Sequence, residues 1–407
     1  MKIAVTSTFD IDPANDGGRR RYQAMLGELA KRHDVTLVGY HLGSFSGVRS
    51  YRLGARLQAH IVSATDSDTR HCWHDFAQTQ RIAHDVFCIK TYYFNKEFLS
   101  LCAEHMGNAD VVIVSHPYMI MPVLTYKKYG SVQIYESHNV EYDAKVKHFA
   151  DIDPVLRDTR LADVAWAERL ACQTSNYVTA VSAADARRLE VLYDLTPSSV
   201  HVAANGVHAS SYPRFGTQEK AAFRAKLGIR DGDDVAVFVG SGYGPNVESY
   251  RQARAMLQAA GFTGCVILIG SIAQAARSDW PAVTFREIWL GFTSDEVRNV
   301  AIGCADFALQ IMTTGAGTNL KLFDYMASYT PIVANEFGAR GVPERDWYFR
   351  VETSDELGAL LAHASWKGVE GERVAQKARD LAVRYYDWSV VAEGFDQLIS
   401  GVRQRAV

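Results

Sequence analysis

Short apolar runs alternate along the chain with segments in which apolar positions recur every three or four residues. The runs "KIAVTS", "VTLVGYH", "DVVIVS", "VQIYES" and "YVTAVS" are rich in β-branched residues and bounded by turn formers, which predicts buried strands. Between the first two stands "RRRYQAMLGELAKR", whose apolar positions share one helical face. Strands separated by helices predict parallel pairing through crossovers. The same order restarts after "VHVAANGV", with "VAVFVGS", "CVILIGS", "AVTFRE", "FALQI" and "PIVAN" separated by helices such as "VESYRQARAMLQAAG". The pattern predicts an α/β chain with two doubly wound, Rossmann-like domains in tandem and ligand sites outside the carboxyl ends of the strands. The amphipathic end, "YYDWSVVAEGFDQLISGVRQ", predicts a closing helix that starts at an Asp-Trp-Ser turn.

Composition narrows the class. A chain of 407 residues suits two domains of roughly 200, each able to bury a sizeable core. Lys and Arg total 43 against 46 Asp and Glu, a balance that argues against nucleic acid or a strongly anionic membrane as the main partner. "MKIAVTSTF" lacks a signal-type apolar region, and no run of about 18 apolar residues follows, so a soluble cytoplasmic protein without stable membrane insertion is expected. Transient contact at the inner face of a membrane stays compatible with this. The six cysteines stand without a CxxC pair, as buried thiols do. "RHCWHDF" offers His71, Cys72 and His74 but no fourth ligand at a familiar spacing, so no metal is expected.

Several positions at predicted strand ends can carry chemistry. Gly17 and Gly18 follow the first strand and are read as a tight turn opening onto a helix N-terminus, where amides and the helix dipole suit a phosphate. Arg19, Arg20 and Arg21 add forks that match phosphate oxygens, although at least one must point to solvent. His116 ends one strand, and Glu136, His138 and Glu141 surround the end of the next, which predicts a shared ligand crevice. In the second half, "GSGYGPNVESY" places Ser241 and Asn246 after a strand, with Asn246 read as the N-cap of the next helix. The loop "TTGAGTN" carries Gly315, Gly317, Thr318 and Asn319 into a helix, so its amides can cradle a diphosphate, with Leu320 and Lys321 opening the helix. Asp324, one turn further, is placed to accept two ribose hydroxyls. A plain glycine turn with a solvated Lys-Asp pair is the alternative.

Together, the early glycine pair, "VTAVSAADARRL", "VHVAANGV", "GSGYGPNVESY" and above all "GAGTNLKLFDYMASYTPIVANEFGARGV" resemble the retaining, nucleotide-sugar-dependent glycosyltransferases of family 4. The resemblance implies the GT-B fold, two Rossmann-like domains facing across a cleft: residues 1–207 with 388–407 on the acceptor side, and residues 208–387 holding the nucleotide sugar. It implies that Gly17, Gly18, Arg19, Ser241, Asn246, Gly317, Thr318, Asn319, Leu320, Lys321 and Asp324 bind the donor. His116, Lys321 and Gly18 would serve catalysis, and His138, Glu136 and Glu141 would lie on the acceptor side.

Two departures matter. Eight positions before Asp324, where many members carry an acid, stands Ala316, and Asp324 itself replaces the usual Glu. No Arg-Lys pair follows the first strand of the second half, which leaves Lys321 as the replacement charge. The expected activity is metal-independent, retaining transfer from a UDP- or GDP-linked sugar to a glycan, a lipid-linked or another hydroxyl acceptor, as in cell-envelope polysaccharide biosynthesis. A sugar-nucleotide epimerase using Glu136 and Glu141, and a catalytically reduced nucleotide-binding scaffold, are the rivals. The 41–100 region, with "SFSGVRSYRLGARLQ" and "KTYYFNKEFL", is read either as an acceptor surface or as a surface helix.

Overall fold

The computed structural model describes residues 1–42, 45–275 and 280–401. Two compact units are present, one formed by Met1–Ala204 with the chain end from Val391, the other by Asn205–Val390.

The first unit is built on an eight-stranded sheet: β1 Lys2–Ser7, β2 Asp34–His41, β3 Val48–Arg52, β4 Leu57–Ser63, β5 Val111–Ser115, β6 Val132–Glu136, β7 Tyr177–Ala180 and β8 Val200–Val202. Their order is β3-β4-β2-β1-β5-β6-β7-β8, parallel except for β3, which runs antiparallel to β4. β1 pairs with β2 from Lys2↔Asp34 to Ser7↔Gly39 and with β5 from Ile3↔Val111 to Thr6↔Val114, so three carboxyl ends open side by side. Strands β5 and β6 are buried at every position, as helices on both faces of a parallel sheet require.

Within the 41–100 region, read either as an acceptor surface or as a surface helix, residues 48–58 form the hairpin β3–β4 and no helix. β4 alternates buried and half-buried side chains from Leu57 to Ile61, is buried on to Ser63 and slots beside β2, whereas β3 is an exposed, polar edge strand whose sequence carries no apolar alternation to announce it. Ser44, within the same quoted stretch, and residues 402–404 of the closing segment lie outside the described residues.

The second unit carries a six-stranded parallel sheet: β9 Val235–Val239, β10 Cys265–Ile269, β11 Arg286–Gly291, β12 Phe307–Gln310, β13 Ile332–Ala334 and β14 Phe349–Arg350, in the order β11-β10-β9-β12-β13-β14. The run "AVTFRE" is strand only at its end. Phe285 turns into the core against Phe262 instead, and the half-buried edge strand continues to Gly291. Both units place their carboxyl strand ends beside the helix starts that hold the candidate residues. The closing helix Trp388–Gly401 begins where Asp387 accepts from the Ser389 amide and hydroxyl. Further along it, Asp396 is bonded to Arg32 and His33. No helix among the described residues is long and apolar enough to cross a membrane.

Candidate active site

In the first unit the helix Gly17–Ala30 starts directly at the glycine pair. Asp16 is its N-cap, accepting from the Arg19 amide at 3.0 Å, so Gly17 and Gly18 form the first helical turn and not the separate tight turn expected. A Cβ at Gly18 would meet only Asp16 Oδ1 at 3.5 Å and Phe9 Cζ at 3.6 Å, ordinary contacts, so packing does not demand glycine here. The three arginines part company. Arg19 pairs with Asp16 and Asn15 at the helix start. Arg21 points inward, 2% exposed, donating to Glu136 and to the carbonyls of Ala203 and Ala204. Arg21 is therefore an internal counter-ion and not a phosphate fork, because the helical turn that exposes Arg19 turns Arg21 into the core.

The four predicted residues at the ends of β5 and β6 come together. His116 stands at φ +64° before Pro117; its ψ of 144° suits a residue preceding proline, but its φ is one that non-glycine residues rarely adopt. A backbone held there costs about 1–3 kcal/mol and is a mark of a functional constraint. His116 Nδ1 lies 3.2 Å from Glu141 Oε1, while Tyr118 donates to Glu141 Oε2 at 2.6 Å and Asn139 to Oε1 at 3.1 Å. That bond fixes the ring and leaves Nε2 buried without a protein partner. His138 packs on His116 at 4.5 Å between ring centroids and shares Ser115 with Glu136.

Burial would raise both carboxyls, yet their neighbours hold them below the usual carboxylate range. For Glu141 the neighbours are His116, Lys145 and Tyr118. For Glu136 they are His138, Arg21 and Ser115, and the always-charged Arg21 is the decisive one, since burial lowers His138 to about 4. Neither acid is free as an acceptor-side base. Glu136 is engaged by Arg21 and Ser115, and Glu141 by His116, Tyr118 and Asn139.

Sequence reasoning missed Glu168, which sits in the middle of the helix Pro154–Thr174 and is 0% exposed. Its carboxyl receives four hydrogen bonds, from Tyr135, Tyr193 and the amides of Glu141 and Tyr142 at 2.7–3.0 Å. It thereby caps the helix Glu141–His148 from outside and fixes the residue that holds His116. Burial, and then the charge of Glu141, push Glu168 up to about 7 against these donors.

In the second unit the loop and helix Leu320–Ala327 are organised through carbonyls. Arg340 donates to the carbonyls of Ala316, at 3.3 Å, and Gly317, at 2.7 Å, and Asn205 donates to that of Thr318, at 3.0 Å. In a planar trans peptide the N–H opposes the C=O, so the amides of Gly317, Thr318 and Asn319 face away from these anchors. Those amides continue into the first turn of the helix, where N–H groups lack intrahelical partners. Gly341, at φ +97°, permits this closeness: a Cβ there would lie 2.3 Å from Thr318 Cγ2.

Lys321 is 8% exposed, 4.1 Å above the Phe238 ring centre, and donates to Asn246 Oδ1 at 2.9 Å; Asn246 in turn donates to Ser241 Oγ at 2.9 Å. Asn246 is therefore not an N-cap. Pro245 suits the first helical turn, so the helix begins at Gly244 behind Tyr243, and the Asn246 side chain is released to hold Lys321. Burial, and then Arg340, lower the Lys321 ammonium to about 7. Among the described residues no carboxylate pairs with it. Asp324 lies one turn on, its Oδ1 accepting from Tyr212 at 2.6 Å with Arg298 3.9 Å away.

A family model described as Glycosyltransferase Family 4 matches residues 15–211. HepE of Anabaena, solved in complex with UDP, is 14% identical, covering 98% of this chain and 100% of that chain with a TM-score of 0.65. The sucrose-phosphate synthase of Thermosynechococcus elongatus is 12% identical, covering 100% of both chains with a TM-score of 0.71. WaaG, a glycosyltransferase involved in lipopolysaccharide biosynthesis, is 16% identical over 98% of this chain and 100% of that chain, TM-score 0.65. The fold is that of GT-B glycosyltransferases. No match was found among curated protein sequences. In this GT-B chain the family match takes in His116, Glu136, His138, Glu141 and Glu168 and stops at Ser211, short of the loop before Lys321.

Proposed function

We propose that the protein transfers a sugar, with retention of anomeric configuration and without a metal, from a UDP- or GDP-linked donor to a hydroxyl of a glycan or lipid-linked acceptor. The observation that carries this reading is Lys321: a lysine buried without a counter-ion, beside amides whose carbonyls are tied back, is arranged for an anion. HepE with bound UDP-glucose, a protein of the same fold, supports a nucleotide sugar as that anion.

In this mechanism Gly317, Thr318, Asn319 and Leu320 donate amides to the donor diphosphate, and Asp324 receives a ribose hydroxyl on the oxygen not taken by Tyr212. Gly17, Gly18 and Arg19, at the first turn of their helix, are the proposed donor contacts contributed by the first unit. As the bond from the anomeric carbon to phosphate oxygen breaks, negative charge grows on the diphosphate, where Lys321 and the amides stabilise it. Burial keeps Lys321 close to its neutral form, and the arriving diphosphate draws a proton onto it. The acceptor oxygen attacks on the face the diphosphate leaves, and its proton passes to the departing phosphate oxygen. His116 Nε2, steadied through Glu141, orients the donor sugar. Ala316 supplies no sugar contact, so this orientation carries more weight. The epimerase reading has less support, because Glu136 and Glu141 are both buried and tied to protein partners.

The test is a thermal-shift screen of UDP, GDP and their sugars, followed by product analysis with acceptors. Stabilisation by one nucleotude class and transfer with retention are expected; no stabilisation by any nucleotide would refute the reading.

A further inference from the structure

Three imidazoles stand around the carboxyl end of β1, and each has a buried ring nitrogen without a protein partner: His41 Nδ1, His84 Nε2 and His116 Nε2. His41 ends β2, the neighbour of β1 on one side, and His116 follows β5, its neighbour on the other. His84 opens the helix His84–Thr91 and lies close to the backbone of Thr8, just past β1. The donor reading uses His116 and leaves His41 and His84 unexplained. A buried polar atom left unsatisfied costs about 1–3 kcal/mol, so two in one strand-end crevice call for a ligand.

The charges nearby decide which kind. Arg49 is paired with Asp10, Lys145 with Asp85 at 2.5 Å, and Arg19 with Asp16 at 3.2 Å. Phosphate would find no uncommitted cation among these. Burial, and then the neighbouring His84, lower His41 to about 4, and burial lowers His84 as well against the opposing charge of Asp85, so the neutral form is favoured in both rings. A neutral imidazole nitrogen can accept from a hydroxyl or donate to it. Phe45 stacks on His41 at 6.4 Å, adding an apolar face of the sort that packs against a sugar ring.

We propose that His41 and His84 form a carbohydrate-binding subsite of the first unit, which receives neutral hydroxyl groups of the glycosyl acceptor beside Phe45. The proposal rests on the glycosyl-transfer reading for the word acceptor, but its binding chemistry is tested separately.

The experiment uses the full chain labelled with 15N-histidine. Ring nitrogen resonances are followed while glucose, galactose, mannose, N-acetylglucosamine and their disaccharides are added, and inorganic phosphate is the contrasting probe. At least one saccharide should shift the His41 and His84 resonances, and His41→Ala or His84→Ala should weaken its binding by about tenfold or more, the loss of one good hydrogen bond. If His84→Ala does not fold, His84→Gln replaces it. Nucleotide thermal shifts are read on the same samples. Perturbation by phosphate and by no saccharide would overturn the subsite. So would silence towards every saccharide in a protein that UDP or GDP stabilises, leaving glycosyl transfer intact and assigning the ring nitrogens to buried water. A saccharide response without any nucleotide stabilisation would uphold the subsite and remove the glycosyl-transfer reading instead.

Discussion

The two units build their candidate sites from opposite materials. In the first, buried and half-buried side chains satisfy one another: Arg21 with Glu136, Lys145 with Asp85, Glu141 with His116, and Glu168 with four donors. In the second, main-chain amides are aimed by side chains that grip the carbonyls behind them, and the buried Lys321 is met by an amide oxygen and a ring face instead of a carboxylate. A self-satisfied network gives rigidity and fixes one imidazole. A buried lysine without a carboxylate partner, beside amides turned from their anchored carbonyls, is poised to take up a proton together with an anion. The difference teaches that rigidity and anion affinity come from separate devices, and each can be broken alone.

The largest effect is expected from breaking the first device. Arg21→Met should destabilise the protein by about 3–5 kcal/mol, because Glu136 would be left buried and unpaired. Chemical denaturation measures this, and a loss below about 1 kcal/mol would show that Glu136 can reach water or another partner.

Breaking the second device should spare stability and harm turnover. Lys321→Ala is expected to lower kcat by about 10²–10³, the usual loss on removing a group that stabilises developing negative charge. Stability has its own sign. The Lys321 ammonium falls from an ordinary 10.5 to about 7 on folding, so between these values the unfolded chain binds the extra proton. Stability from this group therefore rises with pH through that window, and below it the buried charge weighs fully against folding. Lys321→Met should abolish that rise, read from denaturation midpoints across the same window.

Glu168 joins structure to chemistry more weakly. Glu168→Gln puts an amide N–H against four donors and should cost about 1–3 kcal/mol. Its carboxyl, raised from an ordinary 4.5 to about 7, contributes stability that is complete below the lower value and lost as pH rises through the upper one. The variant should flatten that slope. If His116 orients donor sugar through Glu141, Glu168→Gln should also lower kcat more than it changes donor KM; equal changes would make Glu168 merely structural. The smallest effect belongs to Asn205→Ala, which frees one loop carbonyl and should raise donor KM a few-fold, about 1 kcal/mol, with kcat held.

The sequence made the strand series, the glycine loop and the imidazoles at strand ends legible, because periodicity and turn chemistry are local. The β3–β4 hairpin escaped it, since an edge strand that is polar on both faces has no alternation to read. The position of Arg21 depended on which way one helical turn faces. Asn246 was displaced from its expected cap by Pro245, which moved the helix start. Glu168, Arg340 and Asn205 act on main-chain groups distant in sequence, 113 residues away for Asn205 and Thr318, and such contacts leave no pattern at either end.

The central claim is that Lys321 takes up a proton when a nucleoside diphosphate binds. It is tested most directly by calorimetry of UDP and GDP binding at about pH 8, in two buffers of different ionisation enthalpy, on the wild type and Lys321→Met. With a free value of about 7, the wild type should gain close to one proton per nucleotide bound, and the variant should bind more weakly and gain almost none. Binding with the same proton uptake in both proteins, or none in either, would contradict the account.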